Sequence, residues 1–297
     1  MSAEPPARRA QSVSAIVVAH NSGATLARAV AGLDAAEVGE IIIVDNASSD
    51  GAPQALVAPV RSALKRVSMA GNVGFGAGCN AGAAQAQGTW LAFVNPDCFV
   101  APDTFERLLA AAQRAPQVGL LGADVRDADG APEPAARRRA PNLVRLLGGL
   151  VRSRRPNRRL FVAPGAAGAI TIVDASSGAL MLLPSALFKQ LGGFEPAYTL
   201  HAEDLDLCRR VQQAGYAVAV AEGVAVTHLK GTSSKSRPLF VAWHKHRGLI
   251  RYLGSDPQQP ASSRRAAQAL VALAFAARLP LYALQALRAR AYRDSGL

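Results

Sequence analysis

The sequence predicts an α/β chain: a doubly wound, mostly parallel sheet flanked by helices, with a C-terminal helical extension. Three observations carry that expectation. Short β-branched apolar runs alternate with segments of helical periodicity through the first two thirds of the chain, the pattern of parallel βαβ units. Polar, turn-rich clusters follow two of those runs directly, as they do where ligand-binding loops leave the carboxyl ends of strands. From Leu239 onward the composition turns helical. At 297 residues, 50% of them hydrophobic, the chain is long enough for one large domain or a domain with an appendage.

Taken in order, residues 1–12 lack the apolar core of a secretory signal and read as a disordered tail. Val13 to Ala19 is a buried strand, followed by the turn His20-Asn21-Ser22-Gly23 and a helix from Ala24. Glu40 to Val44 is the second strand, ending at Asp45-Asn46. Lys65 to Met69 is a weaker third. A glycine cluster, Gly71 to Gly82, then opens a helix of small residues. Thr89 to Val94 is a fourth strand, ending at Asn95-Pro96-Asp97, and Pro102 to Gln113 is a helix. After Val118 to Ala123 the chain reads as irregular over 127–168, a length that points to a mobile loop. Order returns with Ile170 to Asp174, Ser176-Ser177-Gly178 and Ala179 to Leu183, then a short helix from Pro184. An acidic helix begins near Glu203 and stops at Gly215. Two strands, Tyr216 to Ala221 and Val224 to Leu229, close a domain spanning 13–238.

The net charge of +12 is uneven: nine arginines and no acid lie between Arg137 and Arg159. That run lacks the interleaved aromatics that stack bases, so no nucleic-acid partner is expected. A membrane surface, a pyrophosphate or plain solvent remain open for it. Cys79, Cys98 and Cys208 have neither disulfide nor zinc spacing and fit a reducing compartment. In the 239–297 region, Ala266 to Leu287 is strongly apolar but holds Arg278 and Pro280 and is flanked by arginines. An interfacial helix pair on an anionic leaflet suits it better than a span; packing on the core or on a second subunit is the alternative.

Several clusters carry chemistry. Asp45, at a strand end, can accept from a base or ribose, or cap its own loop in an Asx-turn. The glycines near Gly74 let backbone approach a ligand, or let a helix pack closely on the sheet. Asp97 can ligate a divalent cation whose other oxygens come from a diphosphate and water, and His228, ending the last strand, can complete the shell or contact a phosphate. Glu203 and Asp204 crowd the first turn of a helix, where unpaired N–H groups favour negative charge, and a carboxylate there can take a proton from a substrate hydroxyl. Asp206 and Arg210 stand four apart and can pair along the helix.

The series HNS, IIIVDNASSDG, GNVGFGAGCNAG, LAFVNPDC, SSGALMLLP, LGGFE, HAEDLDLCRR and THLKGTSS resembles the inverting glycosyltransferases of family 2, within them the rhamnosyltransferase-like branch. It covers roughly residues 13–236. The resemblance implies a GT-A fold, a nucleotide-binding α/β sheet. It implies that His20, Asn21, Asp45, Asn72, Gly74, Asn95 and Gly178 line the nucleotide-sugar site. Asp97 would be the last carboxylate of a DxD motif that binds Mg²⁺ or Mn²⁺, here with Asn95 in place of the first Asp, and His228 a further metal or phosphate contact. Asp204, beside Glu203, would be the catalytic base. An arginine of the 137–159 run or Lys230 would help the cation with the leaving diphosphate. The implied donor is dTDP-rhamnose, with UDP- or GDP-sugars the alternative, and the acceptor a saccharide, free or polyprenyl-linked, in cell-surface polysaccharide assembly. The implied location is the cytoplasm, at the inner face of the plasma membrane. A nucleotidyltransferase would need a Gly-rich loop with Arg and Lys after the first strand, where this chain has His20-Asn21-Ser22-Gly23. The incomplete DxD permits a catalytically silent binding subunit; the Glu203-Asp204 pair argues against one.

Overall fold

A computed structural model describes residues 10–150, 160–229 and 238–294. The centre of the sheet is β1 (Val13–Ala19), buried along its whole length. A strand covered on both faces favours apolar side chains throughout, and the one polar residue of β1, Ser14, donates its hydroxyl to Glu40. Val13, Ala15, Val17 and Ala19 pack with α1 (Gly23–Ala35) on one face; Ile16 and Val18 pack with α2 (Phe75–Ala83) on the other. Each fully buried Val or Ile contributes roughly 1.5–3 kcal/mol.

Parallel to β1 run β2 (Glu40–Asp45) and β4 (Trp90–Val94) on either side, with β3 (Ala63–Ser68) outside β2. Beyond β4 antiparallel strands enter the sheet. There β10 (Leu180–Pro184) lies antiparallel between β4 and β6 (Val118–Arg126), and β11 (Ala217–His228) continues parallel to β6. The short β5 (Cys98–Phe99) and β8 (Ile170–Val173) both pair antiparallel with β11. These nine strands form the expected mostly parallel sheet among the described residues. α3 (Thr104–Arg114) joins the α1 face through Phe105, Leu108 and Leu109.

Where the sequence reads two final strands there is one. β11 carries a register shift between Ala221 and Ala225, with Gly223 at φ 76°, so the chain bulges and continues. The stretch read as irregular over 127–168 is ordered in its described first half. It holds a 3₁₀ turn (Pro134–Ala136), β7 (Arg137–Arg138) paired with β9 (Ala175–Ser176), and α4 (Leu143–Leu150). The cause is Arg137, fully buried, whose guanidinium reaches Asp124 at 2.6 Å and Glu222 at 2.5 Å. Residues 151–159, with the rest of the arginine run, lie outside the described residues, as do Lys230 and residues 1–9 of the expected tail; Ala10 is buried.

After the short α5 (Ser185–Gln190), α6 (Glu203–Gln213) buries Leu205, Leu207, Cys208 and Val211 against the α2 face of the sheet. Asp206 pairs with Arg210 at 2.7 Å as its spacing predicts, and with Arg209 at 2.9 Å. At the C-terminus α7 (Pro238–Gly254) packs along α8 (Ala261–Asp294), which continues through Pro280. By length and composition Ala261–Ala283, of mean hydropathy 1.4, is apolar enough to cross a membrane, and most of it is exposed.

Candidate active site

The carboxyl ends of β1, β2 and β4 lie side by side, Ala19 in register with Asp45. Asp45 is held by its own loop: Oδ1 accepts from the Ser48 backbone N–H at 2.8 Å, and Oδ2 from the Gln54 amide at 2.9 Å. Burial pushes its pKa up, but these donors and nearby His20 outweigh it and hold the carboxyl below its usual range. His20 stands with Nδ1 3.0 Å from the Asn46 carbonyl, and Asn21, at φ 51°, accepts from the Ser49 N–H at 2.7 Å.

Asn46, buried and not singled out by its sequence, ties this loop to the glycine cluster. Its Nδ2 donates to Asn72 Oδ1 at 3.0 Å and to the Gly74 carbonyl at 3.3 Å, while its Oδ1 accepts from the Val73 N–H at 2.9 Å. Gly74, at φ 89°, opens α2 where a Cβ would fall 2.3 Å from the Thr199 carbonyl oxygen. Gly78 and Gly82 serve packing: a Cβ there would come within 2.8 Å and 2.5 Å of the Val18 and Ile16 side chains.

β4 delivers Asn95 and Asp97, and β11 delivers His228 beside them because His228 pairs with Cys98 of β5. His228 Nε2 is 3.2 Å from Asp97 Oδ1 and 3.3 Å from Asn95 Nδ2, and Nδ1 is 3.3 Å from Glu133. Burial lowers the imidazole pKa, but Asp97 and Glu133 reverse this and push it up to about 9, so His228 is cationic at neutral pH. Among the described residues no three His, Cys, Asp or Glu side chains converge on one point. The two carboxylates flank opposite ring nitrogens instead. Asp97 makes a partial donor set for a divalent cation with His228 Nε2 only once that nitrogen has lost its proton, the rest to come from oxygens of a diphosphate and water.

Asp204 stands in the first turn of α6. Its Oδ2 accepts from Arg138 Nη2 at 2.5 Å and from the Gly178 N–H at 3.3 Å. The segment holding Gly178 meets the β4 loop through Asn95 N–H to Ala179 carbonyl at 3.0 Å, so Asp204 and the Asn95–Asp97 loop share one wall. Burial would lower the Arg138 pKa, yet Asp204 raises it. Glu203 points inward; burial first, then the Asp204 charge, pushes its pKa up to about 8, and its Oε2 is without a hydrogen-bond partner. The turn into α6 is strained: His201 and Ala202 both take left-handed φ, 66° and 73°, a cost of roughly 1 kcal/mol or more each.

The structure brings Asn72 and Gly74 together through Asn46, Asn95 and Asp97 together with His228, and Gly178 together with Asp204, while Glu203 is turned inward. Asn46, Glu133 and Arg138 escaped notice because their partners lie 26 to 95 residues away, at Asn72, His228 and Asp204.

The chain matches the model for glycosyl transferase family 2 over residues 14–176 and that for glycosyl transferase family 21 over 161–245. It is 30% identical over 251 residues to the N-acetylglucosaminyl-diphospho-decaprenol L-rhamnosyltransferase of Mycobacterium tuberculosis, covering 77% of this chain and 80% of that relative. Among solved structures it resembles the mannosyltransferase PcManGT from Pyrobaculum calidifontis in complex with GDP-Man and Mn²⁺, with TM-score 0.59, 17% identity and coverage of 96% and 79% of the two chains. It also resembles S. aureus TarS 1–349 in complex with UDP-GlcNAc, with TM-score 0.54, 18% identity and coverage of 88% and 71%. Both likenesses concern the fold, which is GT-A.

Proposed function

The chain belongs to glycosyl transferase family 2 and is a glycosyltransferase of GT-A fold, and from that premise we propose that it moves rhamnose from dTDP-rhamnose, with inversion, onto a saccharide carried by a polyprenyl diphosphate. The rhamnosyl donor and the lipid-linked acceptor are suggested by the name of the mycobacterial relative. Residues 13–238 would be the catalytic unit and 239–297 the part that keeps it at the inner face of the plasma membrane, in cell-surface polysaccharide assembly.

One observation carries the chemistry: Asp204, fixed by Arg138 and Gly178, shares a wall with the Asn95–Asp97 loop. Inverting transfer is a single displacement. The acceptor oxygen bonds to the anomeric carbon, the bond from that carbon to the diphosphate oxygen breaks, and the hydroxyl proton passes to Asp204. Asp45, Asn72 and Gly74 hold the nucleotide, with His20 and Asn21 at the rim and Asn95 and Gly178 beside the sugar. Asp97 and His228 would hold Mg²⁺ or Mn²⁺, which when bound would supply positive charge to the leaving diphosphate. Such a cation and the proton on His228 Nε2 exclude each other. Glu203, neutral below about pH 8, keeps a second negative charge away from the base.

The experiment is thermal stabilisation by nucleotides, with and without Mn²⁺, followed by transfer assays on Asp204→Asn. A ligand at 100 times its Kd adds about 2.7 kcal/mol to the folded state. A shift with dTDP but not UDP or GDP, and loss of transfer in Asp204→Asn with the dTDP shift intact, is the expected result. A UDP or GDP preference would overturn the donor, and unchanged transfer in Asp204→Asn would overturn the base.

A further inference from the structure

A second recess, basic in character, lies beside the start of α6. The loop carrying Tyr198 and Thr199 faces His244, Arg247 and Arg251 of α7 across it. Gly248 permits this approach, since a Cβ there would fall 2.6 Å from the His201 carbonyl oxygen. Arg251 stands 5.6 Å over the Tyr198 ring and pairs with Glu195 at 3.6 Å, both half exposed. Arg247 has no carboxylate partner among the described residues. Burial and then the neighbouring Arg247 lower the pKa of His244; burial and then Lys245 lower that of His201. Two permanent cations, Arg247 and Arg251, therefore line the recess, and among the described residues Glu195 is the carboxylate paired to one of them, Arg251.

Arg247, with no carboxylate against it, and Arg251, whose partner Glu195 is half exposed, are suited to a phosphate oxygen, which Arg meets with paired N–H donors. The recess borders the nucleotide side of the crevice at Thr199, whose carbonyl oxygen lies against Gly74. It also joins the other side, because its loop runs through the strained His201-Ala202 turn directly into Glu203 and Asp204.

We propose that this recess binds the diphosphate of the acceptor, so that the saccharide attached to it reaches Asp204. The inference rests on the lipid-linked reading of the acceptor given above and adds where its anionic group is held. A phospholipid headgroup offers similar oxygens, so the test separates the two.

Full-length protein and the double variant Arg247→Gln/Arg251→Gln are titrated with farnesyl diphosphate, with farnesol, with dTDP and with phosphatidylglycerol vesicles. The expected result is farnesyl diphosphate binding that is weakened roughly 10- to 100-fold in the double variant, as loss of two charge-assisted contacts implies. Farnesol should not bind in the recess, and dTDP should bind both proteins equally without displacing farnesyl diphosphate. Unchanged farnesyl diphosphate affinity in the variant would overturn the proposal. So would its displacement by dTDP, or a variant that loses only vesicle binding. Failure of every nucleotide to bind would instead sink the donor reading, with the farnesyl diphosphate titration still reporting on the recess.

Discussion

Arg138 Nη2 stands 2.5 Å from Asp204 Oδ2, and the same nitrogen donates to the Ser176 carbonyl. The arginine is 66 residues upstream of its partner, on a two-residue strand held to the sheet by Arg137 next to it. One residue of β7 thus locks the strand into the core and the other holds the carboxylate in the crevice.

If Arg138 positions the base, Arg138→Met should lower kcat roughly 10- to 100-fold while leaving nucleotide affinity unchanged. Arg138→Lys should recover part of the rate, since it keeps the charge but not the planar reach to both oxygens. Steady-state kinetics with nucleotide titrations would check this; a raised kcat in Arg138→Met would mean that the ion pair holds the carboxylate away from its work.

Glu203 makes stability depend on pH. Its folded-state pKa, about 8, lies above the ordinary 4.5, so the folded state holds this proton more tightly than the unfolded chain does. The stability it contributes is complete below about pH 4.5 and is lost as pH rises through about 8. Glu203→Gln should remove that loss, matching the parent near pH 5 and exceeding it by ~2–4 kcal/mol at pH 9. Urea midpoints at both pH values decide it, equal midpoints at pH 9 being the contrary result.

Arg137 sits between two buried carboxylates, Asp124 and Glu222. Arg137→Met would leave them without their shared cation, a loss of ~3–5 kcal/mol. The urea midpoint should fall with little change in slope. Because β7 would lose its anchor, transfer should weaken even at temperatures where the variant is folded.

The parallel half of the fold was legible because VSAIVVA and EIIIV are buried on both faces and so are apolar except at Ser14 and Glu40, which hydrogen-bond to each other. The polar ends Asp45 and Asn95–Asp97 stood out against those runs. The arginine segment misled for a physical reason. Its charges have no acidic neighbour in sequence, and only folding brings Asp124, Asp204 and Glu222 to Arg137 and Arg138. Glu222-Gly223 looked like a strand end because a carboxylate followed by a glycine mimics a turn, whereas Glu222 points inward to Arg137 and the strand bulges past it. Asn46 gave no signal, since a lone Asn after a strand is ordinary and its three bonds are made across 26 to 28 residues.

Gly74 and Thr199 form a shared wall between the nucleotide loop and the loop that leads to Asp204. Any side chain at position 74 would press on the carbonyl of Thr199 and push back the loop that leads to Asp204. Because that oxygen belongs to the backbone, no replacement of Thr199 would make room, and the closeness of the two loops rests on the missing side chain alone.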